Sequence, residues 1–577
     1  MTESSLDRVS LSRPNPAIDR GPLDDGFYDL VEARFRRIVS DHPDVATFLG
    51  IHTEDHRLGN AERDAVLGEI AAERAHLTAV EAIDPAGLSS MASLERDLEI
   101  HNVRLELFDQ EVQRIWERRS TGLDGIGDPL FALFARDFAP LAERLDALTS
   151  RLEGVPAFLA ASRSRAVVPQ VRLWQTIEIE TAGEIPILFD EIVAAGEGVL
   201  AGPESRRLKT AATAARSAVA DHASWVQGTL AGGTDSWGLG GAAYDQLVGL
   251  RAFDGLTADD ILAIGFEQLA VHREARAAAA REIDPAVDER TVLDRIKQDH
   301  PATFAAALDV YRDVMVRARG HLIERDIVTV PDDERIEVIP TPEYIRNVIP
   351  FAAYFDPPKF DAQPKGIYIV TPSVGDDPNA MREHNYSAIS NTSIHEAYPG
   401  HHLQLSVGTR HPSLTRILTN APEFVEGWGM YSEQMMREQG FDDAPNFRIN
   451  MHTDAVWRAC RIILDVRMHR GEVGVDEAVR FLVEQTRFEE PNARAEILRY
   501  TYTPTYQLSY LLGRVLLLQL RADESARLGA GFSLKRFHDT LLRNGSLPIS
   551  FHRRILAGET DRSVSGGGSA LDRAAAR

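Results

Sequence analysis

The chain has 577 residues, 44% of them hydrophobic, 26% charged and 7% aromatic, a mix that excludes collagen-like, disordered and disulfide-scaffold proteins and leaves ample chain for a buried core. Its 63 basic and 87 acidic residues give a net charge of −24, which repels phosphate backbones and anionic membranes, so neither nucleic acid nor membrane is expected as a partner. The single cysteine, Cys460, makes no intramolecular disulfide and no thiolate metal site by itself.

Residues 1–21 are polar and lack the apolar run of about 7–15 residues that a secretory signal needs. They read as a disordered tail, and a cytoplasmic location is expected. From 22 to 327 the chain reads as successive amphipathic helices that would roof a cleft. Leu94, Leu98, Val103, Leu105 and Leu107 belong to one of them. In another, Leu262, Phe266 and Leu269 share a helical face, and Thr257 with Asp259 and Asp260 forms a helix start. The glycines at 238, 240 and 241 imitate a dinucleotide loop, but no strand precedes them.

The texture changes at 328–372, where proline becomes frequent and β-rich runs appear at Ile336–Ile339, Phe351–Phe355 and Ile367–Val370. The last two are expected to pair, and the strand at Gly366–Val370 to offer an edge to an extended substrate. Helical patterning resumes through 386–470 and on to 562, completing a second half at 328–562. The stretch 563–577, with Ser565-Gly566-Gly567-Gly568-Ser569, reads as a second disordered tail. The fold expected is mainly α, a large helical body with a small β element beside the densest polar motif.

That motif is His395-Glu396-Ala397-Tyr398-Pro399-Gly400-His401-His402. A His-Glu pair followed by a further histidine is how zinc peptidases gather two imidazoles and a general base, usually as His-Glu-x-x-His, with i and i+4 on one face. Here the second imidazole stands at i+6 (His401) or i+7 (His402). A regular helix favours His402, whereas a bulge at Pro399-Gly400 brings His401 round. Downstream, Glu426 offers a carboxylate and Glu433 follows two turns later. Two histidines and one carboxylate leave a fourth zinc position to water. His395, His401 and Glu426 are thus the expected ligands of about one zinc ion, with Glu396 as base.

Five ordered stretches make the chain resemble the domain-of-unknown-function family 885, whose members are similar to zinc metallopeptidases of the gluzincin type. They are the His395–Gln404 run; Glu426–Glu433; Arg458–Asp465 continuing to His469; Arg499–Tyr500 through Pro504 to Tyr510 and Gly513; and Phe537–Asp539 through Leu542 to Pro548. The resemblance implies His395 and His401 as ligands, Glu396 as base and Glu426 as third ligand, and it prefers His401 to His402. The family pattern Pro-Gly-Gln-Ala-Leu-Ser-Tyr is replaced by Pro504-Thr505-Tyr506-Gln507-Leu508-Ser509-Tyr510, a departure that bears on specificity.

Around this core, His402 is expected to face a ligand's support or the substrate, and Glu433 to orient an imidazole. Arg458, Arg461, Asp465 and His469 share a helix face, either as a buried ion-pair ladder or as a substrate-carboxylate surface; His469 leans to catalysis, Asp465 and Arg458 to structure. Tyr510 is equally a phenol for the oxyanion and a core tyrosine. The function expected is a zinc hydrolase of the peptidase class acting on small peptides. The rival readings are a zinc hydrolase of a non-peptide amide or ester, and a non-catalytic binding protein that keeps the fold.

Overall fold

Helices dominate, and one small sheet interrupts them, as the mainly α expectation requires. The computed structural model describes residues 21–342, 346, 349, 351–361, 364–372 and 380–558. The tails expected at 1–21 and 563–577 lie outside the described residues, Gly21 apart. No helix among the described residues is long and apolar enough to cross a membrane.

The chain divides into two units at Trp237/Gly238, the first also taking 343–347 and 358–364. The sequence drew its division at 327/328. Residues 238–327 instead pack within the unit that holds His395, because their helices find apolar partners there.

In the first unit, Leu141–Ser162, Arg172–Ala195 and Gly202–Thr229 pack around Leu145, Leu148, Leu152, Phe189, Ile192, Leu208 and Val219. Ser90–Phe108 buries Leu94, Leu98, Val103 and Leu107. Arg34 is buried between Glu73 at 2.9 Å and Glu99 at 3.2 Å, so its charge is compensated where water is excluded.

In the second unit, Ala258–Ile283 starts at Thr257 with a reciprocal cap, Asp260 N donating to Thr257 Oγ1 at 3.2 Å and Thr257 N to Asp260 Oδ2 at 2.9 Å. Its inward face carries Ile261, Gly265 and Leu269, while Phe266 is 47% exposed. The face expected through Phe266 is therefore turned by one residue. Gly265 takes the inward place because the helix Pro445–His469 lies too close for a side chain: a Cβ there would stand 2.9 Å from Ile462 Cγ2 and 3.0 Å from Ile463 Cγ1.

The sheet is three-stranded in the order β1-β3-β2, with β1 Ile336–Pro340, β2 Ala352–Phe355 and β3 Gly366–Val370. β2 pairs with β3 antiparallel, as expected, with Tyr354 opposite Tyr368. β1 adds in parallel on the other side, with Val338 opposite Tyr368. The edge expected of β3 for a substrate strand is therefore absent: both its sides are paired and all five residues are buried.

The Gly265 contact yields a signed expectation. Alanine gains about 1 kcal/mol of helix propensity, but overpacking against a β-branched residue costs roughly 1–3 kcal/mol. Gly265→Ala should lower the denaturation midpoint in urea, and a raised midpoint would show that the two helices have slack.

Candidate metal centre

Tyr386–Glu396 is capped by Asn385, whose side chain accepts from Ala388 N, and stops after Glu396; His401–Gly408 starts a new helix. The turn between them contains a cis Tyr398–Pro399 bond. The expectation of a bulge within one helix is thus corrected to a full break. Its backbone is satisfied across the gap, Gly400 N donating to Ile394 O at 3.0 Å and Leu403 N to Ala397 O at 3.3 Å. A Cβ on Gly400 would lie 1.8 Å from His395 O, so only glycine fits. Trp428 Nε1 donates to Pro399 O at 2.8 Å and clasps the turn from the helix Pro422–Glu438.

The break brings His401, not His402, beside His395: the two rings stand 4.7 Å apart and nearly perpendicular. His395 Nε2 lies 3.5 Å and His401 Nε2 3.4 Å from the same oxygen, Glu426 Oε2. The three ligand atoms lie within 4.8 Å of one another. Glu426 stands on a helix that approaches both neighbours through glycines. A Cβ on Gly429 would meet the His395 ring at 2.6–2.8 Å, and one on Gly427 would meet Gly513 Cα at 2.7 Å.

Behind the cluster, His395 Nδ1 donates to Glu433 Oε1 at 2.8 Å, which fixes the ring with Nε2 turned toward Glu426. Asn391, one turn before His395, donates from Nδ2 to Glu433 Oε2 and to Asp454 Oδ2, both at 2.9 Å. His401 Nδ1 is buried with no partner among the described residues. Burial opposes the His395 imidazolium, but Glu426 and Glu433 outweigh it and push its pKa up to about 10. Burial also opposes ionisation of Glu426 and Glu433, yet the imidazoles hold both below the usual carboxylate range. Glu396 goes the other way: burial raises it against the pull of His401 and His395. No hydrogen bond to its carboxylate is formed among the described residues, and it is half-buried.

The remaining expected residues divide. Tyr506 hydroxyl donates to Glu426 Oε1 at 3.0 Å and lies 3.4 Å from the Tyr510 hydroxyl, so both phenols line the cluster. Arg461 is buried beneath Tyr510, its guanidinium carbon 4.6 Å from the ring centre, and its donors go to Tyr500 at 3.0 Å and Glu496 at 2.9 Å. Asp465 accepts from the Tyr244 hydroxyl at 2.7 Å and from Thr505 N at 2.9 Å, and burial pushes its pKa up to about 7. It thereby pins Thr505 at φ +65°, a left-handed backbone that a β-branched residue adopts only at a cost.

His402 and His469 fall elsewhere. His402 is fully buried, bonded through Nδ1 to the Tyr354 hydroxyl at 2.8 Å and through Nε2 to Glu334 at 2.6 Å. It ties β2 to Glu334. His469 is 1% exposed, donates from Nε2 to Tyr500 O at 2.9 Å and stacks on Tyr244. A packed position of that kind suits a structural strut, not the catalytic group expected. Asn391, Asp454, Glu334 and Gly429 escaped the sequence reading. Asn391 alone carried a local signal, standing four residues before His395 on the same face.

The fit to a metal rests on distance. Ligands about 2.0–2.1 Å from one tetrahedral ion stand roughly 3.3–3.4 Å apart, which the Nε2 to Oε2 separations of 3.5 and 3.4 Å match. A charge-assisted hydrogen bond would sit at about 2.7–2.9 Å. The donor set of two imidazoles and a carboxylate suits zinc.

Comparison with known proteins places the chain in a family. The family model described as "Bacterial protein of unknown function (DUF885)" matches residues 43–556, and the chain belongs to that family. No curated protein matches it. Among solved structures it is similar to a chain from Shewanella oneidensis described as "a putative lipoprotein of unknown function", at 22% identity and TM-score 0.76, covering 92% of this chain and 99% of that one. It is also similar to a "putative lipoprotein" from Colwellia psychrerythraea, at 18% identity and TM-score 0.81, covering 93% of this chain and 99% of the other. At these identities the likeness is one of fold.

Two expectations follow. Gly429→Ala drives a methyl into the His395 ring, so metal affinity should fall about 10–100-fold while circular dichroism stays helical; unchanged affinity would mean that the ring has room to move. In the metal-free protein, His395 with its pKa of about 10 keeps a proton at pH 7 that a metal must displace. Affinity should therefore rise with pH, with about one proton released per ion from pH 7 to 9, fading above pH 10. Calorimetry in buffers of different ionisation enthalpy reads that release, and finding none would contradict the protonated imidazole.

Proposed function

We propose that the protein is a zinc-dependent hydrolase of the gluzincin-like kind that cleaves amide bonds in small peptides. One observation carries this reading: two imidazole Nε2 atoms converge on one Glu426 oxygen at metal-sharing distance, with the unbonded carboxylate of Glu396 beside them. A structural zinc site would fill its ligand shell from protein; among the described residues this cluster offers three groups, which would leave a bound ion one position for water.

His395 and His401 through Nε2, and Glu426 through Oε2, would hold the ion. Bound zinc supplies Lewis acidity, polarising the scissile carbonyl and making water nucleophilic near neutral pH. Glu396, raised by burial, is suited to take the proton of the attacking water and to deliver it to the leaving nitrogen. Water is thereby added across the C–N bond, giving one carboxyl and one amine product. The Tyr510 hydroxyl, within 3.4 Å of that of Tyr506, is placed to donate to the developing oxyanion. Tyr506 holds Glu426 in orientation through its hydrogen bond.

The test separates holding from catalysis. Glu396→Gln should keep zinc and lose about 10²–10⁴-fold in turnover of a peptide library read by mass spectrometry. Glu426→Gln and His395→Ala should lose both zinc and turnover. Zinc lost with Glu396→Gln would make that residue a ligand and overturn the assignment.

A further inference from the structure

Arg458 lies on the same helix face as Arg461, one turn earlier, yet the two are bonded very differently. Arg461 spends its donors on Tyr500 and Glu496 at 3.0 and 2.9 Å. Among the described residues, the hydrogen-bond and ion-pair contacts of Arg458 reach only Asp454 on its own helix, with Asp454 Oδ1 and Asp454 O each 3.5 Å from NH1. Its Nε is buried and has no partner among the described residues. Five donors in a fixed fork with none well used is a costly arrangement for a side chain 16% exposed.

Its position is bounded by two short chains of contacts, each leading back to the cluster. On one side Asp454 bonds Asn391, Asn391 bonds Glu433, and Glu433 bonds His395, each at 2.8–2.9 Å. On the other, the guanidinium carbon lies 5.9 Å from the Tyr510 ring centre, Tyr510 meets Tyr506 and Tyr506 meets Glu426. The guanidinium also stacks on Trp457 at 4.1 Å, which holds the fork in one orientation.

We propose that Arg458 is the anchor for a substrate carboxylate, so that the enzyme acts on peptides held by their free C-terminal carboxylate and works from that end. The inference rests on the peptidase reading above. A planar fork packed against Tyr510, whose hydroxyl meets Tyr506 and through it Glu426, matches a carboxylate with two parallel hydrogen bonds, and a carboxylate held there would direct the C-terminal end of a peptide toward the ligand triad. The terminus, and not an acidic side chain, is the source assigned, because every peptide carries one and no pairing to a second side-chain pocket is needed.

The test uses zinc-loaded full-length protein and N-acetylated tripeptides as the free acid, the C-terminal amide, and an amide ending in glutamate. Binding is measured by calorimetry to the Glu396→Gln protein, and cleavage with the unsubstituted one. The free acid should bind about 10–100-fold tighter than either amide, and the same ratio should appear in kcat/KM. Arg458→Gln should erase the ratio at unchanged zinc content, and Arg458→Lys should restore part of it. Equal binding of acid and amide, or a ratio that survives Arg458→Gln, overturns the anchor, and a preference for the glutamate amide moves it to a side-chain carboxylate and overturns the terminal assignment. Acid-selective binding lost with Arg458→Gln but without cleavage of any peptide upholds the anchor and sinks the peptidase reading.

Discussion

The chain must turn between Glu396 and His401 in four residues without room for a side chain at the last of them, and the geometry of the centre depends on that turn. A helix continued through it would carry His402 onto the face of His395 and leave His401 about a third of a turn away. The break reverses the choice, and Trp428 holds it by donating to Pro399 O. The same tryptophan lies between Gly427 and Gly429, whose missing side chains let the Glu426 helix approach Gly513 on one neighbour and the His395 ring on the other. Backbone proximity, purchased with glycine, sets which groups converge.

Charge then determines what the converged groups can hold. Glu426 and Glu433 are kept ionised by the imidazoles they face, in a place where an uncompensated carboxylate would be expensive. The metal-free protein balances them with a proton on His395. Glu396, raised by burial instead, stands apart from this ion pairing, with no hydrogen bond to its carboxylate among the described residues. Two environments around the same pair of imidazoles thus separate the Glu426 carboxylate from that of Glu396.

Much of this was legible locally. The helix Ser90–Phe108, the Thr257 cap and the β-rich runs each depend on residues a few places apart, and the structure places them where the local pattern implies. The His-Glu pair, the Pro-Gly interruption and Glu426 identified the groups that meet. What stayed hidden depended on distant partners. Phe266 looked inward because it is large and apolar, but Gly265 is inward because Ile462 leaves no space. His402 and His469 look functional by type and adjacency, and only Glu334, Tyr354 and Tyr500 reveal them as struts. The parallel addition of β1 to β3, which removes the edge expected for substrate, joins strands some thirty residues apart and leaves no trace in either strand's own pattern. Thr505, read from sequence only as a departure that bears on specificity, is also a backbone position that Asp465 holds at φ +65°.

The claim beneath the account is that one ion sits between His395, His401 and Glu426. X-ray absorption at the zinc edge of the purified, zinc-loaded protein tests it most directly. The account predicts a four-coordinate shell of nitrogen and oxygen at about 2.0–2.1 Å, with outer-shell scattering from two imidazoles that drops to one in His401→Ala and stays at two in His402→Ala. A shell that loses an imidazole in His402→Ala and keeps both in His401→Ala would contradict it.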